Sequence, residues 1–265
     1  MKRVIAILLG MALLGGFLYQ RGKKPALCKI HGHAMGCEWT LVCRDTELSP
    51  ADLQREVQVS LDHWEQVMST WRPDSDLSRF NRGEPATADL QRVLSLAECM
   101  RIATDRAFDS NVLEAVHRAG FGPEGKGVDL SGIGKGFAVD RVAERLRALG
   151  VRDFLFQLAG ETIAGDREWQ VGIEAPDPSE RHLTKTITLK NRALATSGNY
   201  RQFRTNERGI VSHIIDPRTG KPVIRTFSAV TVIANDCATA DAWATALFVS
   251  GKNEAPKPLE VWWQE

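Results

Sequence analysis

The sequence predicts an α+β fold, and three observations carry that prediction. Apolar residues recur at helical spacing in the first half; short β-like runs fill the second; no internal repeat or disordered linker divides them. Residues 26–265 therefore read as one domain behind an apolar leader at 1–25. The composition is ordinary for a globular chain: 265 residues, 43% hydrophobic, 25% charged, formal net charge +1. A balance so near neutral leaves no electrostatic footprint for nucleic acid, and no basic run interleaved with aromatics occurs.

The leader begins with the basic Met1-Lys2-Arg3, and the stretch from Val4 to Tyr19 is apolar, with Gly10, Gly15 and Gly16 inside it. That is the pattern of a bacterial-type export signal or a short membrane anchor, short for a full span and followed by Arg21, Lys23 and Lys24. The expected location is exported: periplasmic, or anchored in the inner membrane and facing the periplasm. Ala26 to Arg44 is strand-like, interrupted at His31-Gly32-His33-Ala34-Met35-Gly36. The two histidines read either as a metal-ligating pair on one strand face or as polar surface. Five cysteines, Cys28, Cys37, Cys43, Cys99 and Cys237, form no Cys-x-x-Cys pair and no zinc spacing. Cys37 and Cys43 either bridge in an oxidising compartment or remain buried thiols.

Ser49-Pro50-Ala51-Asp52 supplies a cap, an N1 proline and an early acid, so a helix starts there. Leu53, Val57, Leu61, Trp64 and Met68 form its core-facing stripe. A polar loop from Met68 to Asn81 follows, in which Trp71 reads either as a ligand-stacking ring or as a core plug. A second helix is expected near Ala88 to Thr104, striped by Leu90, Val93, Leu94, Ala97 and Met100. It leads through Arg106-Ala107-Phe108-Asp109 to the stretch that organises the chain, Val128 to Asp140.

That stretch loosens into glycines at 132, 134 and 136 around Lys135, then enters a helix striped by Val139, Val142, Leu146 and Leu149 and stopped by Gly150. Glycines before a helix N-terminus let backbone N–H groups approach an anion, and a lysine adds charge there. Phosphate or pyrophosphate binding is one reading, and a tight strand-to-helix connection is the other. The P-loop pattern fails because Gly136 follows Lys135; the dinucleotide fingerprint fails at Phe137. Beyond Gly150 come short β-like runs at Asp153–Leu158, Trp169–Glu174, Thr186–Leu189, Ile210–Ile215 and Ser228–Ala234, then a helix from Ala238 to Ser250 closed by Gly251.

Asp241 and Thr245 lie one turn apart on that last helix and so share a face. They read as hard oxygen ligands for Mg²⁺ or as an early acid and a back-bonded threonine. His213, beside the polar turn Asp216-Pro217-Arg218-Thr219-Gly220, is the candidate general base. Thr196-Ser197-Gly198 reads as phosphate-bonding hydroxyls or an ordinary turn.

Taken together and in this order, Met35-Gly36, the Ser69-Thr70-Trp71 to Asn81 loop, Ala107-Phe108-Asp109, Asp129 to Asp140, Ala195 to Gly198, His213 to Gly220 and Asp241 to Thr245 resemble the FAD:protein FMN transferases, the ApbE family. The resemblance implies a T-fold-like domain with a mixed or antiparallel sheet and packed helices. It implies cleavage of the FAD pyrophosphate with Mg²⁺, release of AMP, and attachment of FMN through a phosphoester to a threonine of an exported or membrane redox protein. Asp241, Thr245 and the Gly132 carbonyl match the family's metal positions. Met35, Trp71, Ala107, Phe108, Asp109, Asp129, Lys135 and Ile215 match positions lining FAD, and His213 is assigned the acceptor hydroxyl's proton. The chain departs from the family at Cys37, Ser110-Asn111, Ala159-Gly160-Glu161, Ala244 and the short tail from Lys252 to Glu265. Those departures define a second reading: a weakened flavin-binding or flavin-supply protein, or a hydrolase giving FMN and AMP.

Overall fold

Leu27–Ala34 (β1) and Cys37–Arg44 (β2) form an antiparallel hairpin whose turn residues, Met35 and Gly36, sit at φ 52° and 71°. This computed structural model describes residues 27–264 apart from 178, 181, 201–202, 207–208, 227 and 253–254, so the expected leader at 1–25 lies outside the described residues. The interruption expected at 31–36 shrinks to that two-residue turn. His31 and His33 remain in β1 with exposed side chains, because strand alternation turns Ile30, Gly32 and Ala34 inward. Gly32 has no side chain because the Trp39 ring occupies the place: a Cβ there would lie 2.6 Å from it.

Pro50–Met68 (α1) starts as its sequence dictates, with the Ser49 hydroxyl accepting from the Asp52 N–H at 3.1 Å and Pro50 in the first turn. Its buried face, Leu53, Val57, Leu61, Trp64, Val67 and Met68, joins the main core. The loop expected from Met68 to Asn81 contains a short helix, Asp76–Asn81 (α2), capped by Ser75, whose hydroxyl accepts from the Ser78 N–H at 2.9 Å. Ala88–Ala103 (α3) is capped by Thr87. Leu113–Arg118 (α4) precedes Gly134–Ala148 (α5).

The rest is mostly strand: Phe154–Leu158 (β3), Glu161–Ala164 (β4), Trp169–Glu174 (β5), Leu183–Leu189 (β6), Ala193–Gly198 (β7), Phe203–Asn206 (β8), Gly209–Asp216 (β9), Lys221–Ile224 (β10) and Ala229–Ala234 (β11). Cys237–Ser250 (α6) and Glu260–Gln264 (β12) close the chain. A seven-stranded sheet runs in the order β1-β2-β3-β4-β7-β11-β12, and every neighbouring pair in it is antiparallel. The β5–β6 ribbon is inserted between the neighbours β4 and β7, and the three-stranded β10-β9-β8 sheet between the neighbours β7 and β11. Helices α1, α5 and α6 cover one face of the sheet. On the other, Trp169, Val171, Ile173, Ile187 and Leu189 of the ribbon pack against Leu155, Leu194 and Ile233. The central strands are therefore buried on both faces, and β11 is buried at all its positions.

Among the described residues no helix is long and apolar enough to cross a membrane. Cys37 opens β2 and Cys43 is its last residue but one, about 20 Å away at ~3.4 Å per residue, which rules out the bridge entertained between them.

Candidate functional site

The glycine-rich stretch does not precede its helix as a loop. Gly134, Lys135 and Gly136 form the first turn of α5, and the preceding connection turns at 131–133. The reason is contact with α6. A Cβ on Gly136 would stand 2.4 Å from the Cys237 carbonyl oxygen and 2.8 Å from the Asp241 Cβ, so only glycine lets the two helices approach this closely. The freed Gly136 N–H donates to Asp241 Oδ2 at 3.0 Å. Gly132 is enclosed in the same way, with the Phe108 ring and the Thr245 side chain both 3.3 Å from where its Cβ would be.

One turn after Asp241, the Thr245 hydroxyl shares a hydrogen bond of 3.1 Å with the Ser197 hydroxyl on β7. Gly132, Gly136, Asp241, Thr245 and Ser197 thus meet between the start of α5, the middle of α6 and the end of β7. Lys135 adds an ammonium 2.6 Å from Glu161 Oε1, at the first position of β4. Glu161 is 1% exposed and its Oε2 is buried without a hydrogen-bond partner.

The electrostatics follow from burial. Desolvation pushes the Glu161 carboxyl up to about 7, with Lys135 opposing and Asp241 adding to the rise. The same desolvation raises Asp241, against the pull of Lys135 and the Gly136 N–H. For Lys135 burial acts downward, but the carboxylates of Glu161 and Asp241 outweigh it and hold the ammonium above its ordinary range. Two carboxylates against one ammonium leave an excess of negative charge once both ionise, and one buried carboxylate oxygen lacks a donor. A carboxylate, a hydroxyl and nearby backbone suit a small hard cation. Among the described residues no three His, Cys, Asp or Glu side chains group as a metal cage.

The remaining expected residues are held by contacts of their own. Asp129 is buried; its N–H donates to the Ser110 carbonyl at 2.7 Å and its Oδ1 accepts from the Ser131 N–H at 2.8 Å, which fixes the entry to the Gly132 turn. Ala107 and Phe108 are core residues, and Asp109 Oδ1 binds the backbone and side-chain N–H groups of Asn111. Met35 donates its N–H to Glu65 at 3.1 Å, and two residues on, Cys37 lies close enough to act on the charge of Lys135. Trp71 is 68% exposed, so it does not plug the core. His213 lies inside β9, its ring edge-on to Phe121 at 6.2 Å, and Ile215 packs with Ala115 and Val116. Ile214 between them packs into the core built on α6.

Sequence reasoning did not single out Glu161 or Asp140. Glu161 enters only as the last residue of the departure Ala159-Gly160-Glu161; its partner is 26 residues away, and no local pattern announces the pair. Asp140 registered only as the end of a motif. Its carboxylate crosses from α5 to accept from the Cys237 and Ala238 N–H groups, at 2.8 and 2.9 Å, and so holds the start of α6.

Known proteins resemble this chain in sequence and fold. The model of the ApbE family matches residues 35–127 and 124–262. A FAD:protein FMN transferase from Vibrio cholerae is 31% identical, over 98% of this chain and 91% of its own length. One from Haemophilus influenzae is 29% identical over 98% and 90%. Among solved structures, a flavin transferase ApbE from Vibrio cholerae matches at a TM-score of 0.75 with 29% identity, covering 85% of this chain and 87% of that one. The apo flavinyl transferase ApbE of Pseudomonas stutzeri matches at 0.76 with 27% identity, over 86% of each. A match that runs through both helices of the Asp241 centre and nearly the full sheet leaves one conclusion: this chain belongs to the ApbE family.

Proposed function

We propose that the chain is a FAD:protein FMN transferase, which splits FAD at its pyrophosphate, releases AMP and leaves FMN as a phosphoester on a threonine of a target redox protein. The observation that carries this reading is the convergence of Asp241, Thr245 and Gly132 at the first turn of α5, beside Lys135. Asp241 and Thr245, with the Gly132 carbonyl, would hold Mg²⁺. The donor set is hard oxygen, and the excess carboxylate charge with the unpartnered Glu161 Oε2 fits a cation there. When bound, that ion supplies charge neutralisation to the phosphoryl oxygens.

The chain's own groups do the rest. Lys135 and the N-terminal turn of α5 present positive potential to a pyrophosphate. Phosphoryl transfer needs positioning and charge stabilisation more than covalent chemistry, and a buried, closely packed helix pair provides a rigid frame for both. Exposed Trp71 offers a ring for an aromatic ring of FAD. His213 takes the proton from the acceptor hydroxyl. The apolar leader supports an exported location, with the acceptor among exported or membrane redox proteins.

The test is to incubate the full chain with FAD, Mg²⁺ and a flavin-acceptor domain, then to weigh the acceptor and map the modified residue. The expected result is an FMN-sized gain on one threonine with AMP released. AMP without label on the acceptor supports the hydrolase reading instead, and bound FAD without AMP supports flavin supply.

A further inference from the structure

β1 is the edge of the seven-stranded sheet, and its pairing with β2 places Cys28 directly opposite Cys43. Directly opposed antiparallel residues have Cα atoms about 4.5–5.5 Å apart, inside the range a disulfide spans. Both side chains point to the helix-covered face: Cys43 is fully buried in the main core and Cys28 is half-buried against it. The register sets the two thiols on the same face of neighbouring strands, and the nearness of Cys28 adds to burial in pushing the Cys43 thiol up. We propose that Cys28 and Cys43 are a redox pair that closes into a cross-strand disulfide and fastens the edge strand to the sheet.

The chemistry needs a disulfide oxidant, either a small-molecule disulfide or a dithiol–disulfide oxidoreductase, of the kind present where the expected leader would deliver the chain. The two thiols differ in access. Burial first, then the neighbouring Cys28, pushes Cys43 up to about 12, so Cys43 is a poor first nucleophile. Cys28, at the half-buried position, attacks the oxidant and expels one of its sulfurs as a thiol. The Cys43 sulfur then loses its proton, attacks Cys28 Sγ and expels the second. Two thiols lose two protons and two electrons, and the oxidant's disulfide is reduced to two thiols. The link closes a loop of about 15 residues that contains the Met35–Gly36 turn. Cys99 is exposed on α3 and Cys237 is buried at the start of α6, so neither shares this register.

The full chain, reduced and then equilibrated with oxidised glutathione over a range of ratios to reduced glutathione, gives the test. The expected product is a monomer lighter by two hydrogens. Its non-reducing digest joins the Cys28 peptide to the Cys43 peptide, the joint reverses with dithiothreitol, and the oxidised form melts about 5–10 °C higher. A Cys28→Ser variant should give no such peptide and the same melting point in both conditions, while Cys99→Ser should still close the pair. Persistent glutathione on Cys28, a linkage through Cys37 or Cys99, or five free thiols at every ratio would overturn the assignment. A linked pair with unchanged melting would overturn its fastening role.

Discussion

Asp140 on α5 accepts a hydrogen bond from the backbone N–H of Cys237 at 2.8 Å, and with its second oxygen from that of Ala238 at 2.9 Å. A carboxylate from one helix thereby caps the start of the other. Asp241 lies one turn further on, so the cap fixes where the candidate ligand points. Burial, the largest influence on this group, pushes its carboxyl up to about 7 against the pull of those two N–H groups. An unfolded aspartate titrates near ~4. The stability linked to this proton is therefore full below about pH 4 and is lost as pH rises through about 7. Relative to the wild type, Asp140→Asn should gain stability between those limits and hold a constant difference above them, as read by urea unfolding at several pH values. A difference that does not change with pH would contradict the assignment.

The Lys135–Glu161 pair tests the buried charge balance. Lys135→Met leaves Glu161 buried without its cation and should cost about 3 kcal/mol of unfolding free energy. Adding Glu161→Leu should recover most of that loss, because it removes the stranded carboxylate. Both variants should lose affinity for FAD, which separates the stability effect from the binding one.

Gly136→Ala places a methyl group where the Cys237 carbonyl oxygen is only 2.4 Å away. One helix must retreat, at a cost of about 2–3 kcal/mol by the usual penalty of overpacking. Transferase activity should fall further than stability accounts for, since the same shift breaks the hydrogen bond from Gly136 to Asp241.

Trp71 is the reverse case. Its exposure means that Trp71→Ala should leave the melting temperature within about a degree. If the ring stacks on FAD, the same change should weaken FAD binding about tenfold, measured by flavin fluorescence.

The parts legible in the sequence are those encoded locally. α1 is written out by Ser49, Pro50 and a stripe from Leu53 to Met68, and α6 by its run to Gly251, which takes φ 70°. α2 has six residues and β4 four, too short for a periodic stripe, and β12 sits in a tail that reads as abbreviated. Gly136 was visible but ambiguous: the same glycines serve an anion site or a tight strand-to-helix connection, and its close approach to Cys237 depends on a helix about 100 residues further on. Asp241 and Thr245 were legible because one turn separates them. Glu161, Ser197 and Asp140 act across 26, 48 and 97 residues, and pairing at that range appears only when the sheet and helices assemble.

AMP release from FAD by the full chain, titrated with Mg²⁺ and compared with Asp241→Ala, tests the account most directly. The wild type should show saturable dependence on the ion. The variant should fold, lose AMP release by about a hundredfold or more and resist rescue by added Mg²⁺. A variant that releases AMP at the wild-type rate, with the same Mg²⁺ dependence, would place the chemistry somewhere other than the junction of α5 and α6.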